Sequence, residues 1–142
     1  MYKRTLVIIK PDAFDNDWAA QIEVRYEKAG LRVIYAKLFK MEYDWAASFY
    51  AEHAGKFFFS GLKLAMSSGP SGVLILEGDN AIERVRELNG ATDPSKAEPG
   101  TIRHDFRSAG GPFNTVHGSA NQADFERELG LFVEWGVVKM PI

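Results

Sequence analysis

The feature that most restricts the fold is a run of apolar and β-branched side chains near the start of the chain, Thr5–Ile9. A run without polar alternation is typical of a strand that is buried on both faces at the centre of a sheet. Lys10 and Pro11 follow it directly, so an ammonium group is expected where this strand leaves the sheet. We therefore expect Thr5–Ile9 to be the first strand and to lie centrally.

The rest of the chain alternates between helical and extended patterns. Apolar residues at helical spacing predict a first helix that ends at Gly30, and Leu31–Phe39 has the mixed pattern of a second strand. Val73–Leu76 and Thr115–His117 are predicted as the third and fourth strands. The other predicted helices are one capped by Asp44, one over Ser60–Met66, one after Asp79 or Asn80, and one from a Ser119–Gln122 capping box through Leu129 to Gly130.

The resulting order, β-α-β-α-β-α-β-α, predicts a sheet covered by helices. A split β-α-β arrangement is compatible with so few strands. At 142 residues the chain has the length of one domain, which we place over residues 1–142. Asn89–Gly100 is rich in glycine and proline and is predicted to be an extended loop within that domain.

Composition excludes several classes of function. A net charge of −2 gives no basis for a chain held on nucleic acid mainly by phosphate neutralisation, so no stable nucleic-acid partner is expected. The absence of cysteine excludes disulfides, thiolate zinc sites and a cysteine nucleophile. No apolar run approaches the roughly 20 residues of a membrane helix, and Thr5–Ile9 is too short for a signal-peptide core, so we expect a cytoplasmic protein without a membrane partner.

The nucleotide motifs Gly-x-x-x-x-Gly-Lys-Ser/Thr and Gly-x-Gly-x-x-Gly are both absent, which argues against a P-loop or protein-kinase mechanism. His53, His104 and His117 lack metal-ligand spacing, so no metal site built from protein ligands is predicted. We interpret His53 as a surface or helix-end histidine and His104 as part of a polar run. His117 ends a short strand before Gly118 and Ser119, so its ring can project from a sheet edge, although its spacing alone favours a structural role.

The segment Asn114–Ser119 reads Asn-Thr-Val-His-Gly-Ser and resembles the active-site signature of the nucleoside diphosphate kinase family. Further segments resemble motifs of that family in the same order, and together they span nearly the whole chain. The resemblance implies a ferredoxin-like βαββαβ sandwich, an α/β (α+β) fold in which helices cover a four-stranded antiparallel sheet. The matching segments are Lys10–Ala13, Phe49–His53, Phe58–Leu62, Ser68–Pro70, Leu76–Gly78, Gly90–Pro94 and Pro99–Arg103.

The activity implied by this resemblance is transfer of the γ-phosphoryl group from a nucleoside triphosphate to a nucleoside diphosphate, in a ping-pong cycle through a phosphohistidine at His117. Neutral imidazole keeps a free lone pair at neutral pH, so it can attack phosphorus without a separate base. Mg²⁺ is the implied cofactor, held largely by the substrate's β- and γ-phosphates. The implied partners are nucleoside di- and triphosphates and further copies of the chain, as a tetramer or hexamer built from dimers.

The resemblance also assigns roles to other residues. Around the catalytic histidine it implies a phosphate-binding Lys10, a Tyr50 that orients the phosphorylated ring, a Glu128 that fixes the ring tautomer, and Ser119 of the signature itself. For the nucleotide it implies Arg86, Thr92 and Arg103 on the phosphates, Asn114 on the ribose and Phe58 stacked on the base.

Taken without the resemblance, several of these residues have simpler interpretations. Arg86 is then a solvated helix charge, and two of the three aromatic residues in Phe57–Phe59 are expected in the core. A half-buried helix residue is the commoner explanation of Tyr50. These alternatives rest on residue type and spacing alone.

Two features depart from the family pattern. Ala120 stands where the family usually has aspartate, and because an acid at a helix start contributes about 0.3–1 kcal/mol, we expect a weaker cap rather than loss of chemistry. Arg103–His117 is one residue longer than usual, around Gly110–Pro112. Two alternatives to catalysis are a nucleotide- or single-strand nucleic-acid-binding module that uses Phe57–Phe59, and a scaffold without activity.

Overall fold

The computed structural model describes residues 2–139, and these form a four-stranded antiparallel sheet with helices on both faces. The strands are β1 (Tyr2–Ile9), β2 (Arg32–Lys40), β3 (Pro70–Asp79) and β4 (Val116–Gly118). The α-helices are α1 (Pro11–Asp15), α2 (Ala19–Lys28), α3 (Tyr43–Phe49), α4 (Phe59–Met66), α5 (Ala81–Asn89), α6 (Ile102–Asp105) and α7 (Gln122–Glu134). Short 3₁₀ helices lie at Ala51–His53 and Pro94–Lys96. No helix within residues 2–139 is long and apolar enough to cross a membrane.

The central position of β1 explains its uninterrupted apolar sequence. The strand lies between β3 and β4, and residues 5–9 are all buried. Because successive side chains of a strand point to opposite faces, Leu6 and Ile8 pack into the core beneath α3, α4 and α7, while Val7 and Ile9 pack into the core beneath α2 and α5. The prediction of a central strand that is buried on both faces is confirmed.

The sheet has the strand order β2-β3-β1-β4, and each neighbouring pair is antiparallel. With α2 between β1 and β2, and α5 between β3 and β4, this is the ferredoxin-like βαββαβ arrangement that the sequence predicted. Helices α3 and α4 lie between β2 and β3, where the six-element pattern has none. They supply the aromatic and methionine side chains that cover the second face of the sheet.

The predicted capping box at the start of α7 is wrong. Asn121 is the N-cap, and its side-chain oxygen accepts a hydrogen bond from the backbone N–H of Asp124 at 2.8 Å. Ser119 cannot cap the helix because it is fully buried and its hydroxyl donates to Glu128. Ala120 precedes the cap, and Asp124 already places an acidic group in the first turn. The expectation that Ala120 weakens the cap is therefore also wrong.

Two other predicted helix boundaries differ from the structure. Helix α7 continues through Gly130 to Glu134 because Phe132, two residues beyond the glycine, is fully buried in the core. Tertiary packing of this kind overrides a cost of about 1 kcal/mol for a glycine inside a helix. Helix α3 has Glu42 as its N-cap, so Asp44 lies in the first turn and does not cap it.

The segment around Gly110–Pro112 forms a tight turn. Gly110 and Phe113 exchange two backbone hydrogen bonds, each 3.0 Å long. Gly110 and Gly111 have φ angles of +92° and +62°, a region that L-residues with a side chain rarely adopt. The stretch between Arg103 and His117, in which one extra residue is predicted, thus contains a local hairpin.

Candidate active site

His117 lies on β4, the edge strand of the sheet, where its backbone pairs with Ile8 of β1. The side chain retains 22% exposure and lines a pocket of about 430 Å³, a volume suited to a small ligand. The rings of Phe49 and Tyr50 pack edge-on against the imidazole, with centroids 5.1 Å and 6.4 Å away. The imidazole is therefore held by aromatic contacts and still reaches solvent.

A buried carboxylate holds one nitrogen of this imidazole. Glu128 Oε2 lies 2.9 Å from His117 Nε2, and the hydroxyl of Ser119 donates to Glu128 Oε1 at 2.6 Å. Phe125, Glu128 and Phe132 share the buried face of α7, which explains how a helix brings a carboxylate to a strand edge. The contact to Glu128 favours a proton on Nε2, which leaves the lone pair on Nδ1. Among residues 2–139, Nδ1 has no hydrogen-bond partner.

Lys10 brings a buried ammonium group to the same pocket at the end of β1. Its Nζ donates to Asn114 Oδ1 at 2.7 Å, and the residue is only 5% exposed. Burial, followed by repulsion from the Arg103 guanidinium, lowers the pKa of Lys10 from its ordinary 10.5 to about 8. The charge of Lys10 is therefore unusually sensitive to pH.

Arg103, on the short helix α6, is buried and donates to three backbone carbonyls. These are the oxygens of Gly90 at 2.7 Å, Val116 at 2.8 Å and Asn114 at 3.2 Å. A guanidinium has five N–H donors, so three bonds to the protein leave two for a ligand. Burial lowers the pKa of Arg103, but a guanidinium stays charged at physiological pH. Arg103 thus ties three chain segments together and still offers donors to the pocket.

Asn114, Arg86 and Thr92 complete the polar side of the pocket. The Asn114 side chain is buried between Lys10 and Thr92. Its Oδ1 accepts a hydrogen bond from Lys10, and its amide donates one to the backbone oxygen of Thr92 at 3.1 Å. Arg86, in the last turn of α5, and Thr92, in the following loop, are exposed and line the pocket. Together with Lys10 and Arg103 they make this wall rich in cationic and hydroxyl donors.

Aromatic side chains form the pocket wall on the side of α4. His53 stacks on Tyr50 with ring centroids 6.4 Å apart and packs edge-on against Phe58 at 5.1 Å. Phe58 lines the pocket and Phe59 packs against the core, whereas Phe57 is fully exposed, so the prediction that two of these three residues lie in the core is wrong. His53 is the last residue of the 3₁₀ helix Ala51–His53, as predicted for a helix-end histidine, and it also lines the pocket.

The Tyr50 hydroxyl is a buried hydrogen-bond donor. Within residues 2–139 it has no hydrogen-bond partner, although Tyr50 lines the pocket. Burial raises the pKa of Tyr50, so the phenol stays protonated at neutral pH. A buried polar group without a partner is costly, and a ligand in the pocket could satisfy this one.

One pocket therefore gathers nearly all of the residues that the sequence singled out. Ser119 is the exception, since it lies behind Glu128 and reaches the pocket only through it. Glu52 and Asp124 also line the pocket, although neither was predicted as a site residue. Glu52 lies inside one of the matching motifs. Asp124 lies at a helix start that the capping-box prediction placed wrongly. The predicted residues that line the pocket are Lys10, Tyr50, Phe58, Arg86, Thr92, Arg103, Asn114, His117 and Glu128. Residues 2–139 contain no group of three or more His, Cys, Asp or Glu side chains placed to hold a metal ion.

The chain is similar to proteins of one family over most of its length. The family model described as nucleoside diphosphate kinase matches residues 3–136. Nucleoside diphosphate kinase 2 of Protochlamydia amoebophila (strain UWE25) is 47% identical over 130 residues, which cover 92% of this chain and 90% of the relative.

Solved structures agree with this sequence similarity. A halophilic nucleoside diphosphate kinase from Halobacterium salinarum, in complex with CDP, matches with a TM-score of 0.88 and 38% identity, over 93% of this chain and 88% of that one. A transition-state mimic of the nucleoside-diphosphate kinase from Borrelia burgdorferi, with bound vanadate and ADP, matches with a TM-score of 0.86 and 29% identity, over 99% of this chain and 92% of that one.

Proposed function

Since the chain belongs to the nucleoside diphosphate kinase family, we propose that it transfers the γ-phosphoryl group of a nucleoside triphosphate to a nucleoside diphosphate through a phosphohistidine at His117. The observation that carries the proposal is the position of this imidazole. One ring nitrogen is bonded to a buried carboxylate, and the ring lines a pocket that also holds three cationic side chains.

In the first half of the cycle, the Nδ1 lone pair of His117 attacks the γ-phosphorus of the donor. The bond from that phosphorus to the β–γ bridging oxygen breaks, and the nucleoside diphosphate leaves with the electron pair. Glu128 accepts the Nε2–H of the ring and stabilises the positive charge that the imidazole acquires. In the second half, a terminal oxygen of a second diphosphate attacks the phosphorus and the N–P bond breaks.

The phosphates are bound by Lys10, Arg103, Arg86 and Thr92. Charge-assisted hydrogen bonds are shorter and stronger than neutral ones, and the burial of Lys10 and Arg103 strengthens their electrostatic effect. Both buried cations are already fixed by hydrogen bonds to Asn114 or to backbone carbonyls. Such donors need little reorganisation when charge develops on the transferred group.

The nucleoside part lies against Phe58, with Asn114 on the ribose. Stacking tolerates every base because each base has a π face. The relatives that bind CDP and ADP support this tolerance, since one base is a pyrimidine and the other a purine. The Tyr50 hydroxyl, which has no hydrogen-bond partner within residues 2–139, orients the phosphorylated ring.

Mg²⁺ is the proposed cofactor and would bind mainly to substrate phosphate oxygens and water. The pocket lining includes the carboxylates of Glu52 and Asp124, but residues 2–139 offer no cluster able to enclose the ion. This donor set fits Mg²⁺, which commonly keeps several waters and binds through one or two carboxylates and substrate phosphates. When bound, the ion neutralises charge on the β- and γ-phosphates.

We also propose a cytoplasmic homo-oligomer, a tetramer or hexamer built from dimers. Supporting this, β2 is an edge strand whose Leu38 is 63% exposed, and exposed strand edges tend to be covered by a partner. Light scattering distinguishes the two assemblies, and cell fractionation tests the location.

The catalytic proposal is tested by steady-state kinetics with ATP and a panel of diphosphates. We expect a parallel pattern of double-reciprocal lines, the signature of a ping-pong cycle. His117→Ala should abolish transfer, whereas Lys28→Met, at an exposed residue outside the pocket lining, should retain it. Nucleotide binding without transfer by the unaltered chain would favour the binding-module or scaffold alternative.

A further inference from the structure

We propose that Arg25, a residue of α2 outside the pocket lining, is a positioning residue that fixes Arg103 for phosphate binding. The proposal rests on the phosphate-binding role proposed above for Arg103. It concerns the support of α6 from the side that faces away from the ligand.

Arg25 contacts the chain on both sides of Arg103. Its Nη2 lies 2.9 Å from Asp105 Oδ2, and its Nη1 donates to the backbone oxygen of Gly100 at 3.3 Å. The guanidinium carbon lies 5.0 Å from the centroid of the Phe106 ring. Asp105 Oδ1 in turn accepts the backbone N–H of Gly100 at 3.1 Å. Arg25 and Asp105 thus form a clasp around residues 100–106.

This clasp matters because α6 has only four residues, Ile102–Asp105, and cannot hold its own position. Arg103 anchors the segment on the pocket side through its three bonds to backbone carbonyls. Arg25 anchors the same segment from α2. If the clasp opens, this segment is still held within residues 2–139 by the bond from Thr115 Oγ1 to the Phe106 backbone oxygen at its end and by the Arg103 guanidinium, which must also receive the phosphates.

Helix α2 also holds the start of the loop that leads to α6. The hydroxyl of Tyr26, the neighbour of Arg25, donates to Asn89 Oδ1 at 2.5 Å. The next residue, Gly90, gives its carbonyl to Arg103, and a Cβ placed on it would lie 2.6 Å from Thr101 Oγ1. The two ends of the loop therefore pack against each other, and α2 supports both of them.

The clasp lies near the surface, so its removal should affect positioning more than global stability. The Arg25 and Asp105 side chains are 36% and 28% exposed, and ion pairs of that kind add little to the free energy of unfolding. Phosphoryl transfer, in contrast, depends on alignment of charged donors with the substrate.

The test compares Arg25→Met, which keeps an apolar stem against Phe106, with Lys28→Met as a matched control. Lys28 is an exposed residue of the same helix and carries the same charge. For Arg25→Met we expect kcat/KM for the diphosphate to fall about tenfold, because small misplacements of a binding group have large kinetic effects. Lys28→Met should match the unaltered chain, and Arg25→Lys, which retains one donor group for Asp105, should be intermediate.

If Arg25 acts by positioning Arg103, the effect of Arg25→Met should depend on Arg103, and this dependence distinguishes positioning from general destabilisation. In an Arg103→Lys background, Arg25→Met should have almost no further effect on ADP affinity, measured by calorimetry. Equal effects in both backgrounds, or an Arg25→Met variant that behaves like Lys28→Met, would overturn the proposal. Because calorimetry needs no turnover, its outcome is independent of whether labelled ATP phosphorylates His117, which tests the proposed function separately.

Discussion

The low pKa of Lys10 leads to a pH dependence that can be worked out in advance. The group has a pKa of about 8 because it is buried and close to Arg103. Lys10 is therefore charged below pH 8 and becomes neutral as the pH rises above that value. If the ammonium binds phosphate, kcat/KM for the nucleoside diphosphate should decline over the same range, since this constant reports the ionisation of the free enzyme.

Two quantities set the size of the decline. The charged fraction of Lys10 falls from half at pH 8 to about one in a hundred at pH 10 for a simple titration with this pKa. Hydrogen bonds to charged groups contribute about 1.5–3 kcal/mol, which corresponds to roughly 10- to 100-fold in a rate ratio. We therefore expect kcat/KM to fall by about 5- to 25-fold between pH 8 and pH 10, because only half of Lys10 is charged at pH 8, and to approach a plateau at higher pH.

The assay is a kcat/KM profile from pH 7 to pH 10 for the unaltered chain and for Lys10→Arg. Terminal phosphates, whose second pKa is near 6, are already ionised across this range. Arginine remains charged throughout, so the inflection near pH 8 should disappear in the variant even if its absolute rate is lower. The reasoning is refuted if the unaltered chain shows no inflection, or if Lys10→Arg retains it.

Three further predictions concern single residues. Glu128→Gln should lower kcat by about 100-fold or more with little change in KM, because the amide no longer fixes the tautomer of His117; pre-steady-state kinetics would measure this, and an unchanged rate would contradict it. Phe58→Ala should raise KM for purine and pyrimidine diphosphates alike, by an amount equivalent to about 1–3 kcal/mol of stacking; a change confined to one base would argue for base-specific recognition. Asn121→Ala should lower the free energy of unfolding by about 1 kcal/mol in urea titrations, whereas Ala120→Asp should change it by less than about 0.5 kcal/mol. A larger effect of Ala120→Asp than of Asn121→Ala would show that position 120, and not Asn121, governs the cap.

The central strand and the alternation of elements were predictable because each depends on local pattern. Thr5–Ile9 is apolar without interruption, and only a strand with cover on both faces accommodates it. Most pocket residues were identified through motifs. Residue type and spacing alone predict a solvated charge at Arg86, and only the fold brings it to the same pocket as Lys10.

The features that sequence reasoning missed depend on distant contacts. Ser119 has the spacing of a capping residue, yet the docking of α7 on β1 buries it and directs its hydroxyl to Glu128. His53 carries no local sign that it will stack on Tyr50 at a pocket wall. In the same way, the clasp between Arg25 and Asp105 joins residues 80 positions apart.

The central claim is that the phosphoryl group rests on His117 between the two half-reactions. The most direct measurement is to incubate the chain with γ-labelled ATP without acceptor, isolate the protein, locate the label by peptide mapping, and then add CDP. We expect an acid-labile, base-stable phosphate on the peptide that contains His117, absent from His117→Ala, and complete transfer of that label to CDP. A label on another residue, or transfer to CDP only while ATP is still present, would contradict the mechanism.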